Sequence, residues 1–320
     1  MKGNGWALLL ALVLAARGAG LLPRGREMEE LVLVAALAAD GSPSAVTVTA
    51  VTGVRTSQDE EPQVLTGTGQ SLAEACQGLG EQDGTVPYLG QTDRLLVGEA
   101  LARSGLRETL DFVLADRALR LDTLLYLING AAGEALSGAA VQVAGETGTE
   151  DPRGRTVGET LSRLAEGEYA PVPVLAPGED GTLEPAGWAA VGPEGLARLW
   201  TGEAARGAEL LAGQGKGTVV PLPDGSAAAL TGVRIWARAG ELRCTLTAQS
   251  VRGAASEAAL AAWGERQLRA VLADGLDCWG LDREQGALRP WAWENGETTP
   301  VEQLNVKVTG RIEGSYEQRS

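Results

Sequence analysis

The residues of this 320-residue chain that could carry chemistry are carboxylates, three cysteines and two glycine-rich loops, and the chain contains no histidine. Without histidine, the chain can form neither a Ser-His-Asp catalytic triad nor a Cys-His catalytic dyad. Asp277 and the acidic residues near Glu294 could act as a pair of carboxylates, which must lie roughly 5 to 10 Å apart in a cleft. Scattered acidic residues are more often solvated surface, so we expect a protein that is not an enzyme.

The cysteines are Cys76, Cys244 and Cys278, and none of them has CxxC spacing. A structural zinc site needs four ligands, so a cysteine-only site would need a ligand from elsewhere. Free cysteines are often buried, which is the interpretation we favour. A disulfide such as Cys244–Cys278 stays open for an exported protein. We expect no metal and no cofactor.

Two glycine-rich segments could cradle a phosphate. The first, at 67–71, leads into a predicted helix in which Ser71 and Glu74 have capping-box spacing, and it lacks the Lys-Ser/Thr of a P-loop. The second, at 213–218, runs into a strand-like segment, whereas a phosphate loop should open a helix. We predict a helix N-cap for the first segment and a turn for the second.

The composition indicates a folded protein with an acidic surface. The chain is 44% hydrophobic with 44 glycines, eight tryptophans and a single phenylalanine, which is typical of a globular chain with small core side chains. Its formal net charge of −15 opposes binding to nucleic acid and to anionic lipid headgroups.

The N-terminus predicts export. Lys2 is followed by an apolar run at 6–16 and by small residues at 18–20. This run is shorter than the ~20 residues of a membrane-spanning helix. We therefore interpret residues 1–22 as an atypical export signal.

The elements that must position these groups are clearest at 92–136. A buried strand at 94–97, a helix ending at Gly105, a second helix through Ala115 and an apolar strand at 123–128 follow one another. Nearer the C-terminus, 233–238 and 242–247 predict a hairpin, and 260–272 predicts a helix with an apolar stripe.

Three tryptophans cluster in the sequence, Trp279, Trp291 and Trp293. As aromatics near one loop they could line a ligand site. Filling the core between helix and sheet is the more common role of such residues, and it is the one we favour.

In residue types and in order these segments resemble the Ger(x)C spore germination proteins, the C subunits of nutrient-germinant receptors. The resemblance lies in four blocks: 69–75, 92–136, 187–207 and 268–291. The positions that match the family's motifs, and that the resemblance implies are structural, are Gly69, Glu74, Gly98, Glu99, Gly105, Asp111, Gly187, Glu203, Gly207, Asp277, Gly280 and Trp291.

The resemblance implies an α+β fold, elongated, with about three successive mixed α/β domains and antiparallel hairpins. After the signal we expect an N-terminal Ger(x)C domain at 23–180 and a C-terminal region at 181–320. The C-terminal region would contain two smaller domains, at about 181–225 and 226–320.

The resemblance also implies a non-enzymatic subunit at the outer face of the spore inner membrane, acting with A and B subunits to trigger germination. Family members are usually lipoproteins. Leu22 lies near the position where the family has its lipid-bearing cysteine, so the mode of anchoring stays open. The alternative is an exported solute-binding protein that captures a small nutrient itself.

Overall fold

The computed structural model describes residues 31–53, 61–80, 86–116, 119–146, 153–238, 240–287 and 298–315. In this part of the chain, helices combine with a ten-stranded sheet and a four-stranded sheet. The predicted α+β class is confirmed. The proposed export signal, Leu22, Trp291 and Trp293 lie outside the described residues.

The first sheet is mixed and occupies the chain from residue 31 to residue 200. Its strands are β1 (Leu31–Ser42), β2 (Ala45–Thr52), β3 (Val64–Gly69), β4 (Val86–Tyr88), β5 (Arg94–Gly98), β6 (Leu124–Ile128), β7 (Arg155–Thr156), β8 (Ala170–Pro177), β9 (Leu183–Gly192) and β10 (Gly195–Trp200). Their order is β10-β9-β8-β6-β5-β1-β2-β3, with β4 pairing to β1 and β7 to β6.

The centre of this sheet is parallel. Strand β5 pairs in parallel with β1 and with β6, and β6 pairs in parallel with β8. Parallel strands are covered on both faces and therefore consist of continuous apolar runs. This explains why β5 and β6 could be predicted, and both predictions are confirmed.

Helices cover both faces of the first sheet. The α-helices of the described residues are α1 (Leu72–Gly78), α2 (Glu99–Asp116), α3 (Ala132–Gly138), α4 (Ala140–Gly145), α5 (Val157–Ala165), α6 (Gly202–Leu211), α7 (Glu257–Leu272) and α8 (Leu281–Ala287). Leu95 faces a core shared with α1, α2 and α5, and its neighbour Leu96 faces a core shared with α3 and α4.

The second sheet has the order β11-β12-β13-β14. Its strands are β11 (Val219–Pro221), β12 (Ala227–Arg238), β13 (Glu241–Arg252) and β14 (Asn305–Ser315). The predicted hairpin is confirmed as β12 and β13, which pair antiparallel, and β14 pairs in parallel with β13. The predicted helix is α7, which packs closely on β14: a Cβ at Gly310 would lie 2.3 Å from the carbonyl oxygen of Glu257.

The first sheet extends beyond residue 180. The turn at 178–182, which lies at the expected limit between the N-terminal domain and the C-terminal region, closes a hairpin in which Gly178 N donates to Thr182 O at 2.7 Å. Strands β9 and β10 therefore complete the first sheet, and the segment 181–225 is divided between the two sheets. Glycine and acidic residues mark a tight hairpin as well as a linker.

Among the described residues, none of the helices combines the length and the apolarity that a bilayer crossing requires.

Candidate interaction site at the junction of the two sheets

Gly98 leaves room for a carboxylate that caps a distant helix. Asp40, near the end of β1, accepts hydrogen bonds from the backbone N–H groups of Ala132 at 2.8 Å and Gly133 at 2.7 Å. These donors begin α3 and have no partner within the helix. A Cβ at position 98 would lie 2.0 Å from Asp40 Oδ1. Asp40 was missed in the sequence, because a capping residue normally adjoins its helix.

The motif positions on α2 have structural or surface roles. Glu99 pairs with Arg103 one turn later, with Arg103 Nε donating to Glu99 Oε1 at 2.9 Å. Gly105 has φ +141° and joins two helical segments across a kink, as predicted from the sequence. Asp111 is exposed on the same helix.

The first glycine-rich loop is a helix cap, as predicted. Ser71 Oγ accepts from Glu74 N at 3.2 Å. The returning bond goes from Gln70 N to Glu74 Oε2 at 2.8 Å, one residue earlier than in a standard capping box. A Cβ at Gly69 would lie 2.5 Å from Ala75 N, so this glycine permits β3 and α1 to pack closely. The second glycine-rich loop is a turn between α6 and β11.

Three motif residues hold the junction between the sheets. Gly187, at φ +154°, approaches the end of β10, where a Cβ would lie 2.2 Å from Trp200 O. Glu203 on α6 pairs with Arg266 on α7 at 3.2 Å. Gly207 lies at the crossing of these two helices, because a Cβ there would lie 2.2 Å from Gln267 O.

Asp277 caps α8. Its Oδ1 accepts from Leu281 N at 2.9 Å and its Oδ2 from Asp282 N at 2.9 Å. Gly280, at φ +75°, makes the turn into the helix. Burial raises the pKa of Asp282 to about 6, with further contributions from Asp277 and Glu302. The imagined partner carboxylate, Glu294, lies outside the described residues.

A pair of stacked indoles links two lobes, which are the first sheet with α1 to α5 and the second sheet with α6 to α8. Trp200, at the end of β10, stacks on Trp279 with ring centroids 5.5 Å apart. Trp200 Nε1 donates to Asp274 Oδ2 at 2.7 Å, and Arg198 Nε donates to the same oxygen at 3.1 Å. Trp200 belongs to the core of the second sheet, although its strand belongs to the first. The sequence did not indicate this contact, because the two tryptophans are 79 positions apart.

Two clefts open at this junction. One, of about 460 Å³, is lined by residues that include Tyr126, Trp188 and Glu209. The other, of about 470 Å³, lies between α5 and α8 and includes Trp279 and Arg283. Arg283 pairs with Glu166 and Glu168 and so ties α8 to the end of α5.

The second cleft is lined by polar and apolar side chains alike and presents hydrogen-bonding groups. Trp279 Nε1 is buried there without an acceptor among the described residues. Cys278 also lines the cleft, and its thiol is buried. Such a cleft can bind a small polar molecule or a segment of another chain.

All three cysteines are buried, and Cys244 and Cys278 are free thiols. Burial raises the pKa of Cys244 to about 12 and also raises the pKa of Cys278 above its ordinary value. A raised pKa disfavours the thiolate, which is the reactive form and the metal ligand. Within the described ranges, no cluster of three or more Cys, Asp or Glu side chains could hold a metal ion. The sequence left open whether Cys244 and Cys278 are buried thiols or form a disulfide, and in the structure they are buried thiols.

The fold and the junction define a two-sheet α+β protein whose motif residues serve mainly as caps and close-packing positions. Residues 24–143 match the family model described as spore germination protein N-terminal domain. The solved structure described as the crystal structure of the GerBC protein is similar in fold, with a TM-score of 0.52 and 14% identity over 87% of this chain and 96% of that chain. No curated protein sequence matches the chain. Residues 24–143 therefore belong to the spore germination protein N-terminal domain family, in agreement with the resemblance of the sequence blocks to the Ger(x)C proteins.

Proposed function

We propose that the chain is the C subunit of a nutrient-germinant receptor. It is a non-enzymatic subunit at the outer face of the spore inner membrane, and it works with A and B subunits to trigger germination. The observation that carries this proposal is the family match over residues 24–143.

The roles of the motif residues support a function by contact. Asp277 and Glu74 bind backbone N–H groups at helix starts, and Gly98 and Gly207 permit close approach. Such residues maintain a shape. A subunit that transmits a signal by packing against its partners needs a defined shape more than it needs reactive groups.

The junction suits the transmission of a signal between lobes. The Trp200–Trp279 stack and the ion pairs of Arg283 connect the last strands of the first sheet and α5 to the C-terminal lobe. A partner that displaces one lobe therefore also displaces the other. In this proposal, export through residues 1–22 brings the chain to the outer face of the membrane, and contacts with the A and B subunits hold it there.

The test is a tagged pull-down from detergent-solubilised spore membranes of the native host. We expect membrane-embedded A and B subunits to come down with the tagged chain. A tagged exported protein of unrelated fold, expressed at the same level, is the control. Recovery of the chain only from soluble fractions, without these subunits, would overturn the proposal.

An exported solute-binding protein is the second candidate. The two clefts favour it, and so does Trp279 Nε1 in the second cleft, which has no acceptor among the described residues. Calorimetric titration of the purified chain with amino acids and sugars is the test. Saturable binding that is lost in Trp279→Leu supports this candidate, and absence of heat with every nutrient removes it.

A further inference from the structure

The second sheet has one covered face and one exposed face. Val233, Ile235 and Ala237 of β12 face the core under α7. Arg234, Trp236 and Arg238 alternate with these residues and are exposed, as are Arg243 of β13 and Lys307 and Arg311 of β14. We call this exposed surface the basic sheet face, and its defining residues are Arg234, Trp236, Arg238, Arg243, Lys307 and Arg311.

The strand register brings these side chains into one patch. Trp236 lies opposite Arg243, and Arg243 lies opposite Lys307 on the next strand. Adjacent strands are separated by roughly 4.8 Å. Arg234 and Arg238, two positions before and after Trp236, lie on the same face of β12. The indole is 39% exposed, and this register places basic residues on both sides of it along β12 and opposite it on β13.

The patch is positive although the chain is strongly acidic. It contains five basic side chains against two acidic ones, Glu241 and Glu313, on a chain with a formal net charge of −15. Hydrogen bonds from Lys307 and Arg243 lower the pKa of Glu241, so this carboxylate is already paired with basic residues of the patch. No described residue forms an ion pair with Arg234, Arg238 or Arg311, which leaves these cations available. Salt limits the repulsion from distant acidic residues to a range of about 10 Å.

We propose that the basic sheet face lies on an anionic phospholipid surface. Tryptophan is enriched at membrane–water interfaces, and each basic residue near an anionic bilayer strengthens binding. A protein interface normally has an apolar core with shape complementarity, and a face with a single central indole among cations lacks such a core. A fluid lipid surface requires no matching shape. The inference rests on the proposed function only for the presence of a membrane beside the chain.

The test is flotation of the purified full chain with phosphatidylcholine vesicles that contain or lack phosphatidylglycerol. We expect binding to the anionic vesicles alone and its loss at high salt. Arg234→Gln with Arg311→Gln should weaken partition roughly 25-fold, since each cation contributes about fivefold. The matched control is Arg107→Gln with Lys216→Gln, which removes the same charge from exposed positions elsewhere and should bind like the parent.

Brominated lipids give a second measurement. The quenching of tryptophan fluorescence should fall in Trp236→Phe, because its indole would lie at the headgroup level. Unchanged quenching in this variant would overturn the proposal.

Other results separate the alternatives. Equal binding to neutral vesicles would assign the contact to an apolar segment and overturn the proposal. Equal weakening of vesicle binding in both double variants would show that binding depends on the net charge of the chain and not on this face, and it would overturn the proposal. If the Arg234/Arg311 variant binds vesicles normally but loses the A or B subunit in the pull-down, the face is a protein interface. If no vesicle binds while both subunits are still recovered, this inference fails and the receptor function stands.

Discussion

Asp40 and Gly98 lie at the ends of neighbouring parallel strands, and the carboxylate of Asp40 fills the space that a side chain at position 98 would need. Through this relationship β1 caps α3 across 92 residues of sequence. The cap depends on a glycine that makes no hydrogen bond to it.

Gly98→Ala should therefore destabilise the chain by about 2 to 4 kcal/mol, because the displaced carboxylate leaves buried N–H groups without an acceptor at about 1 to 3 kcal/mol each. Urea unfolding followed by circular dichroism measures the change. In an Asp40→Ala background the same substitution should cost less. Gly138→Ala, at an exposed position with nothing within 4 Å, is the matched control and should be neutral or slightly stabilising.

Trp200→Phe should destabilise the chain by about 2 kcal/mol, because it removes a hydrogen bond to a charged acceptor and part of an aromatic stack. Among the described residues, Asp274 would then keep Arg198 as its hydrogen-bond partner. Urea unfolding provides the measurement, with Trp236→Phe on the exposed sheet face as the control. Equal stability of the two variants would show that the indole pair does not join the lobes energetically.

The thiols should be unreactive in the native chain. Burial raises the pKa of Cys244 to about 12, so the thiolate is scarce at neutral pH. A colourimetric thiol reagent should label the native protein slowly and should count three thiols after denaturation without reductant. A count of one would reveal a disulfide and contradict the structure.

The contribution of Asp282 to stability should fall as the pH rises from about 4 to about 6, because this residue has a pKa of about 6 in the folded chain and about 3.9 in the unfolded chain. Between these values the folded state binds more protons, so its advantage is present at low pH and is lost as the pH rises. Asp282→Asn should remove this dependence and stabilise the chain at pH 7, by roughly 1 kcal/mol after allowance for solvent screening.

Melting temperatures of both proteins across this pH range provide the measurement. Asp111→Asn, an exposed change on α2, is the control and should follow the parent. Parallel curves for Asp282→Asn and the parent would assign the pH dependence to another group.

The sequence was most informative where structure is local. Strands β5 and β6 were predictable because burial on both faces imposes continuous apolar residues, and the kink at Gly105 was predictable because few other residues adopt its backbone conformation. The structural role of the segment at 178–182 could not be predicted from the sequence. Its turn residues fit a linker and a hairpin equally well, and only strand pairing distinguishes the two.

The site depends on contacts between distant positions. Asp40 is an ordinary aspartate until α3 is placed beside it, and the charges of β12 and β14 form one patch only once the register is known. The net charge opposes anionic surfaces as an average over the chain, and it contains no information about which face each charge occupies.

The sharing of β9 and β10 between the two lobes limits how the molecule can be divided. Trp188 and Trp200 pair within the first sheet and yet form part of the core of the second. A fragment that begins at residue 212 would lack one wall of its own interior, and a fragment that ends at residue 180 would lack two strands of its sheet. The C-terminal lobe is therefore not an independent module. A chimera that exchanges lobes between relatives must include the β9–β10 hairpin with the C-terminal lobe, because the hairpin completes the interior of that lobe.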